Sequence, residues 1–456
     1  MLLQTKVAVI ICASLMLVSG VAYTTIQPPA RETEQTNPVV PQPHPTNPSG
    51  TNTSGLPPVT PPGSNSTDPT GPAANFTDPV SIQELVNASN LFALEMYLEL
   101  ANSKDNLFFS PYSIFTALGM TYEGARNRTA DEIRSVFHFP ADNQTRWSLF
   151  KALIEKLNAN DSGCNLSSGN ALWIQKDFDI LNEYVNTVQT YYKAGAENVD
   201  YKSAAEAARL RINGWVENQT NGKIKDLIPQ GVLTFNTVLV LTNAIYFKGD
   251  WLRAFNDSLT KEMDFHPDPA TTVKAKLMSS NDDESKFNYT ESDGVQVLKM
   301  PYSGEKLSML VLLPRNGTVS SVENMLTPLK LNEWRGKLKE QRVDVYFPKF
   351  KLETKYFLKD NLSAMGMPAA FTSAADFSGI DGKRDLFISA VIHQAFVSVD
   401  EKGTEAAAAT AVVFERNGIV EPPVPVFNAN HPFIFLIQDD ETGNILFMGK
   451  VVDPTG

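Results

Sequence analysis

Cysteine is almost missing from this chain, which has only Cys12 and Cys164 in 456 residues. Cys12 lies in an apolar stretch at the N-terminus, so cleavage of that stretch would leave Cys164 without a partner for an intrachain disulfide. Stability must then come from core packing, because no covalent cross-link is available. The apolar content of 42% is enough to bury a large core.

Basic residues are also scarce, since 39 Lys and Arg stand against 51 Asp and Glu and give a net charge of −12. No dense basic stripe occurs along the sequence. Nucleic acid, heparin and other acidic polysaccharides are recognised by clustered Lys and Arg. We therefore expect no nucleic-acid partner and no heparin site.

Catalytic and nucleotide-binding motifs are missing as well. The sequence has no Gly-x-Ser-x-Gly elbow, Gly-x-Gly-x-x-Gly turn, Walker loop or His-Glu-x-x-His. The histidines are singletons without the spacing of metal ligands: His44, His138, His266, His393 and His431. These absences predict a protein that is not an enzyme and holds no metal ion or cofactor.

The N-terminus has the pattern of a secretory signal in residues 1–22. Lys6 supplies the charged start, Val7 to Val18 is apolar, and Gly20 to Ala22 offers small residues for cleavage. An uncleaved membrane anchor is the alternative, although the apolar run is short for a full span and contains Ser14. Either way, we expect an extracellular protein that is secreted or tethered to the outer cell surface.

Residues 23–80 are rich in Pro, Thr, Ser and Asn and hold almost no bulky apolar side chain, so they predict a disordered linker. A Pro-rich linker stays extended at about 3 Å per residue, which gives this one a reach of roughly 150 Å. Sequons for N-glycosylation support export independently. They lie at Asn52, Asn65 and Asn75 in the linker and at Asn87, Asn127, Asn143, Asn165, Asn218, Asn256, Asn288, Asn316 and Asn361 beyond it.

From residue 81 to 456 the pattern changes to that of one α+β domain. Three helix starts are predicted: a capping box of Ser81 with Glu84, the cap Ser110 before Pro111, and Thr129 with Glu132. Later runs of β-branched and aromatic residues predict strands. They are Val238–Phe247, Leu307–Leu313, Val343–Phe350, Phe387–Val399, Phe433–Ile437 and Ile445–Val451.

The segment from Glu401 to Ala411 is unusual because nearly all its side chains are tiny. From Thr404 onward the even positions as far as Phe414 are uncharged, and the acids Glu405 and Glu415 fall on odd positions. Alternate side chains of a strand face opposite sides, so this segment could lie within a sheet with its acids outward. A short helix is the alternative, because Ala is the best helix former.

Four blocks of the domain resemble the serpins, and they occur in the family's order between about Ser81 and Pro454. They are Asn106–Ile114, Leu241–Trp251, Phe427–Phe435 and Leu446–Lys450. The resemblance implies three β-sheets, eight to nine helices and an exposed reactive-centre loop. It also implies a protein, expected to be a monomer, that forms a covalent 1:1 complex with a target serine protease.

Family roles carry over to particular positions. The resemblance assigns the hinge of the loop to Glu401, Gly403, Thr404, Ala406, Ala407, Ala408 and Ala409. It assigns Ser110, Ser113, Asn243 and His393 to the shutter, a polar cluster where the central strands part. It assigns Trp251, and Lys349 paired with Glu401, to the breach at the top of that sheet.

The bond that the protease cuts has two candidate positions. Counting from Glu401 as the family does places Asn417 before the cut, whereas Arg416, one residue earlier, suits a trypsin-like pocket through a charge-assisted pair. We favour Arg416. The clean parity of the hinge predicts an active inhibitor of a trypsin-like or subtilisin-like protease; a non-inhibitory binding or carrier serpin and an inhibitor of cysteine proteases are the alternatives.

Overall fold

A computed structural model describes residues 7–14, 81–101, 104–158, 164–283, 285–315, 318–404 and 423–456, with the backbone alone at 7–14, 164–168, 244, 246 and 404. The linker and most of the predicted signal lie outside these residues. Within them the chain forms ten α-helices, two short 3-10 helices and eighteen strands in three sheets. The α+β class and the three sheets are therefore confirmed.

The helices are α1 Gln83–Leu100, α2 Pro111–Gly124, α3 Asn127–Phe137, α4 Asn143–Leu157, α5 Asn182–Tyr192, α6 Tyr201–Gln219, α7 Val319–Glu323, α8 Pro328–Lys337, α9 Lys359–Met365 and α10 Ser378–Asp381. The 3-10 helices are Asp257–Leu259 and Pro368–Phe371. The described residues thus hold more α-helices than the eight to nine expected, because the single turns α7 and α10 count among them. None of the described helices is both long and apolar enough to cross a membrane.

All three predicted helices form, but only one of the three predicted caps is correct. Ser110 caps α2, with its Oγ accepting from the backbone N–H of Ser113 at 3.2 Å and Pro111 in the first turn. Helix α1 begins at Gln83, and Ser81 Oγ accepts from the Gln83 N–H instead of forming a box with Glu84. Thr129 lies inside α3, where its hydroxyl accepts from the backbone N–H of Asp376 at 2.9 Å, so a distant partner replaces the local cap.

The central sheet has the order β13 Phe350–Phe357, β14 Leu386–Val399, β1 Val7–Ser14, β5 Thr237–Asp250, β3 Cys164–Gln175 and β4 Ala194–Val199, with β15 Gly403–Thr404 paired to β5. Strand β1 runs parallel to both β14 and β5. Strand β15 runs antiparallel to β5. The space between β14 and β5 is therefore entered by two separate segments of the chain, and we call it the slot.

The second sheet has the order β11 Lys339–Arg342, β8 Lys286–Ser292, β9 Val295–Pro301, β10 Leu307–Pro314, β17 Phe433–Asp439, β18 Ile445–Val451 and β2 Leu107–Phe109. The third has the order β16 Val426–Asn428, β12 Asp344–Pro348, β7 Thr271–Ser280 and β6 Lys261–Asp268. The predicted run Val343–Phe350 is in fact divided at Lys349 between β12 of the third sheet and β13 of the central sheet.

Core packing buries both faces of the slot. Every residue of α2 is buried, and this helix packs behind β5. On the opposite face, α6 covers part of the sheet through a second apolar cluster that includes Ile212, Val216, Val240 and Ile392. A segment that enters the slot must therefore bring apolar or small side chains on both faces over this stretch.

Candidate functional site

The top of the slot is closed by a cluster around Glu401, which is 7% exposed. Its Oε2 pairs with Lys349 Nζ, and its Oε1 accepts from Thr260 Oγ1 at 2.7 Å. Burial would raise the pKa of Glu401, but the hydrogen bonds from Lys349 and Thr260 outweigh it and hold the pKa below its usual value. Glu401 is thus a fixed anion that anchors the residues just before the loop.

Trp251 holds the other side of this cluster. Its indole stacks on Tyr302 with ring centroids 4.6 Å apart, and its Nε1 donates to the Asp400 carbonyl at 3.0 Å. Its backbone N–H donates to the Lys402 carbonyl at 2.7 Å. The end of β5 and the segment that leads into the loop are therefore joined by both side-chain and backbone bonds.

The hinge begins to pair with β5 immediately after this cluster. Gly403 is opposite Asp250 and Thr404 is opposite Gly249, in antiparallel register. Gly403 has φ of +150°, and a Cβ there would lie 2.3 Å from the Gly249 carbonyl oxygen, so only glycine fits. Residues 405–422, which include Ala406 to Ala409 and both candidates for the cut bond, Arg416 and Asn417, lie outside the described residues.

A polar cluster lies lower in the same sheet, between the start of α2 and strands β5 and β14. Ser113 Oγ donates to Asn243 Oδ1, and Ser110 Oγ donates to the Leu446 carbonyl at 2.7 Å. His393 Nε2 accepts from the Ser110 backbone N–H at 3.0 Å. The four residues that the resemblance assigned to the shutter are at most 1% exposed and are brought together here.

The structure adds a residue that sequence reasoning missed. Asn243 Nδ2 donates to Asn170 Oδ1 at 2.7 Å, and Asn170 Nδ2 donates to the Tyr192 carbonyl at 2.6 Å. The network therefore crosses from β5 to β3 and reaches α5. A polar amide in the middle of the strand Cys164–Gln175 is the signal that could have pointed to Asn170, since buried amides need partners.

His393 is the titratable member of the cluster. Burial lowers the pKa of its imidazole to about 3, so the ring is neutral at physiological pH. Because Nε2 accepts a hydrogen bond, the proton is on Nδ1, and this atom has no hydrogen-bond partner among the described atoms.

The sequons differ in exposure. Asn87, Asn127, Asn143, Asn218 and Asn256 are exposed, and Asn288 and Asn361 are half-buried. The side chain of Asn165, and Asn316 as a whole, lie outside the description.

Within the described part of the chain, no group of three or more His, Cys, Asp or Glu side chains is placed to hold a metal ion.

A separate polar cavity of about 330 Å³ lies at the ends of α2, α3, α4 and α5. Its wall includes Glu123, whose carboxylate accepts two hydrogen bonds from Arg146, both at 2.8 Å, and one from Trp147 Nε1 at 2.7 Å. Tyr192 OH donates to the same carboxylate at 2.6 Å. The charges of Glu123 and Arg146 neutralise each other, so this pair joins the helices and offers no free charge to a ligand.

Comparison with known proteins identifies the family. The model of the family "Serpin (serine protease inhibitor)" matches residues 87–454. The chain is 45% identical to a serpin-like protein of Thermococcus kodakarensis, covering 81% of this chain and 86% of that one. It is 40% identical to human Serpin B3 and 39% identical to leukocyte elastase inhibitor A of Rattus norvegicus, covering 82% of this chain and all of each relative.

Solved structures of other proteins also superpose on this chain. Human thyroxine-binding globulin in complex with thyroxine superposes with a TM-score of 0.73 at 32% identity, over 82% of this chain and all of that one. Serpin48 of the insect Tenebrio molitor, described as a highly specific serpin, gives a TM-score of 0.71 at 34% identity, over 81% of this chain and 98% of that one.

Proposed function

This chain belongs to the serpin family, and we propose that it is a suicide inhibitor of an extracellular serine protease of the trypsin-like or subtilisin-like kind. The family supports protease inhibition, and not catalysis, as its general function. The observation that carries the finer proposal is the pairing of Gly403 and Thr404 with β5. The segment that leads into the loop has already begun to enter the slot.

The proposed reaction uses the chemistry of the protease. The hydroxyl of the protease serine attacks the carbonyl carbon of Arg416, an ester to the protease forms, and the peptide bond to Asn417 breaks with Asn417 leaving as a free amine. The loop then inserts into the slot as an additional strand and carries the attached protease with it. The ester persists because the displaced protease active site is distorted before water can hydrolyse it.

The register of β15 supports insertion of the residues that follow. Continued along β5, the pairing places Ala406 opposite Phe247, Ala408 opposite Ile245 and Thr410 opposite Asn243. These three β5 residues are at most 7% exposed. The uncharged even positions of the loop would thus meet the buried face, while Glu405 would be opposite Lys248 on the other face.

The free energy of insertion is large enough to drive trapping. About ten inserted residues would form about ten new backbone hydrogen bonds worth ~1 kcal/mol each, and burial of Val412 and Phe414 would add to this. An inward charge would oppose insertion by several kcal/mol. Since no even position from Thr404 to Phe414 carries a charge, this opposing cost does not arise.

A binding or carrier protein is the second candidate, favoured by the likeness to thyroxine-binding globulin. The two candidates differ in what cleavage of the loop does to stability. An inhibitor that inserts its cleaved loop unfolds at a higher temperature after cleavage, whereas a carrier that keeps its loop outside the sheet does not. Thermal unfolding of intact and loop-cleaved protein, with covalent complex scored on a denaturing gel, decides between them.

A further inference from the structure

Strand β1 occupies the lower half of the slot. Ile11 is in register with Leu241 of β5 and with Val391 of β14, and Ala13 is in register with Asn243 and His393. The strand reaches as far as Ala244 of β5, whereas β15 pairs with Gly249 and Asp250 of β5. The N-terminal segment and the hinge therefore enter the same slot from its two ends.

The register that the loop would use overlaps that of β1. If the β15 pairing continued along β5, Thr410 would be opposite Asn243, Val412 opposite Leu241 and Phe414 opposite Leu239. Strand β1 places Ala13, Ile11 and Val9 at those same three β5 residues. In both registers a small residue stands opposite Asn243, and larger apolar residues stand opposite Leu241 and Leu239.

The two occupants exclude each other, because each level of the slot accepts one strand. With β1 in place, the loop can add residues opposite 245–248 of β5 and then meets Ser14, opposite Ala244. The 66 residues between Ser14 and Ser81 are long enough to let the N-terminal segment reach the slot or leave it.

We propose that the slot is a docking surface for the chain's own segment Val7–Ser14, and that this segment prevents full loop insertion until it is removed or withdrawn. This inference rests on the proposed function. Val7–Ser14 is also the apolar core of the predicted signal, so cleavage of the signal, or burial of the segment in a membrane, frees the slot. The chain can insert its loop fully, and so trap a protease, only after its N-terminus has left the cytoplasm.

The first test measures entry of a strand into the slot without a protease. Full-length protein is produced in a cytoplasm, its intact N-terminus is verified by mass, and binding of a labelled synthetic peptide with the sequence of residues 404–414 is followed. Ile11→Arg would place a guanidinium at the level of Leu241, and its burial cost lowers occupancy of the slot by β1 by roughly a hundredfold. Peptide binding should then be at least ~10-fold faster.

Gln42→Arg adds the same charge within the predicted linker and serves as the matched control, and Val9→Arg repeats the test at the level of Leu239. The inference requires fast peptide binding in both strand variants and slow binding in the parent and in Gln42→Arg. Equal binding rates in all four proteins would overturn it.

The second test uses a trypsin-like protease on the same proteins. We expect Ile11→Arg to form more covalent complex per cleaved molecule than the parent protein forms. Equal complex formation in parent and variant would overturn the inference and leave the proposed function standing. No complex in either protein, with fast peptide binding to the variant, would refute the proposed function while supporting the docking of the N-terminal segment.

Discussion

The backbone N–H of Ser110 donates to Nε2 of His393 at 3.0 Å, and this bond joins the first turn of α2 to β14. It holds the imidazole in the form that carries its proton on Nδ1, within a fully buried site. Protonation of Nε2 would break this bond and bury a charge within the central sheet. The contact therefore couples the charge state of one side chain to the packing of the start of α2 against β14.

Acid should weaken the native fold through His393. Its folded pKa of about 3 is below the ordinary value of 6.5, so the unfolded state takes up the proton first and stability falls as the pH drops from 6.5 toward 3. At pH 5 the loss is about 2 kcal/mol. Guanidinium unfolding at pH 7.5 and pH 5 should show a smaller difference for His393→Gln than for the parent. An equal difference would mean that His393 is not the group responsible.

Charge placed on the hinge positions that would face inward on insertion should convert the proposed inhibitor into a substrate. Thr404→Arg or Ala408→Arg would require burial of a guanidinium during insertion, which costs several kcal/mol and slows the step that competes with hydrolysis. Glu405→Arg is the control, because that position already carries a charge and falls on the opposite face. We expect loss of denaturant-stable complex in the first two variants and its retention in the third; complex in all three would argue against the register derived from β15.

Arg416 should determine the target class. Arg416→Ala removes the cation that pairs with an acidic specificity pocket, so inhibition of trypsin-like enzymes should fall by at least ~100-fold. Asn417→Ala, one residue further, should leave that inhibition nearly unchanged. The mass of the C-terminal peptide released on cleavage identifies the bond directly, and a peptide beginning after Asn417 would place the cut one residue later than proposed.

The buried pair of Glu123 and Arg146 should be a major contributor to stability. Glu123→Ala leaves the guanidinium of Arg146, whose side chain is 2% exposed, without its carboxylate and should cost about 3–5 kcal/mol. Arg128→Ala removes a pair in which the arginine side chain is 79% exposed and should cost under about 1 kcal/mol. Denaturant midpoints measure both, and similar losses in the two variants would contradict this assignment.

The sequence predicts the fold well where local chemistry decides it. Ser110 before Pro111 specifies a helix start by itself, since the serine caps the turn and the proline has the fixed φ of a first helical residue. The apolar strand runs are equally local, because a strand buried on both faces needs apolar residues at successive positions. The continuous run Leu307–Leu313 lies within β10 for this reason.

The features that the sequence did not predict depend on contacts between residues far apart in the chain. Thr129 has the sequence of a cap, but its hydroxyl bonds to Asp376, which is far away in the chain. Asn170 joins the polar cluster only because β3 pairs with β5, and no spacing in the sequence links it to Asn243. The position of Val7–Ser14 in the slot could not be predicted either, since an apolar signal core and a buried strand have the same composition.

Titration of a trypsin-like protease with the full chain and with Ile11→Arg, followed by a denaturing gel and assay of residual protease activity, tests the central claim most directly. Insertional trapping predicts a covalent band at the summed mass of inhibitor and protease, together with loss of activity in proportion to that band. Complete cleavage of the loop in both proteins, with no such band and with the protease fully active, would contradict it.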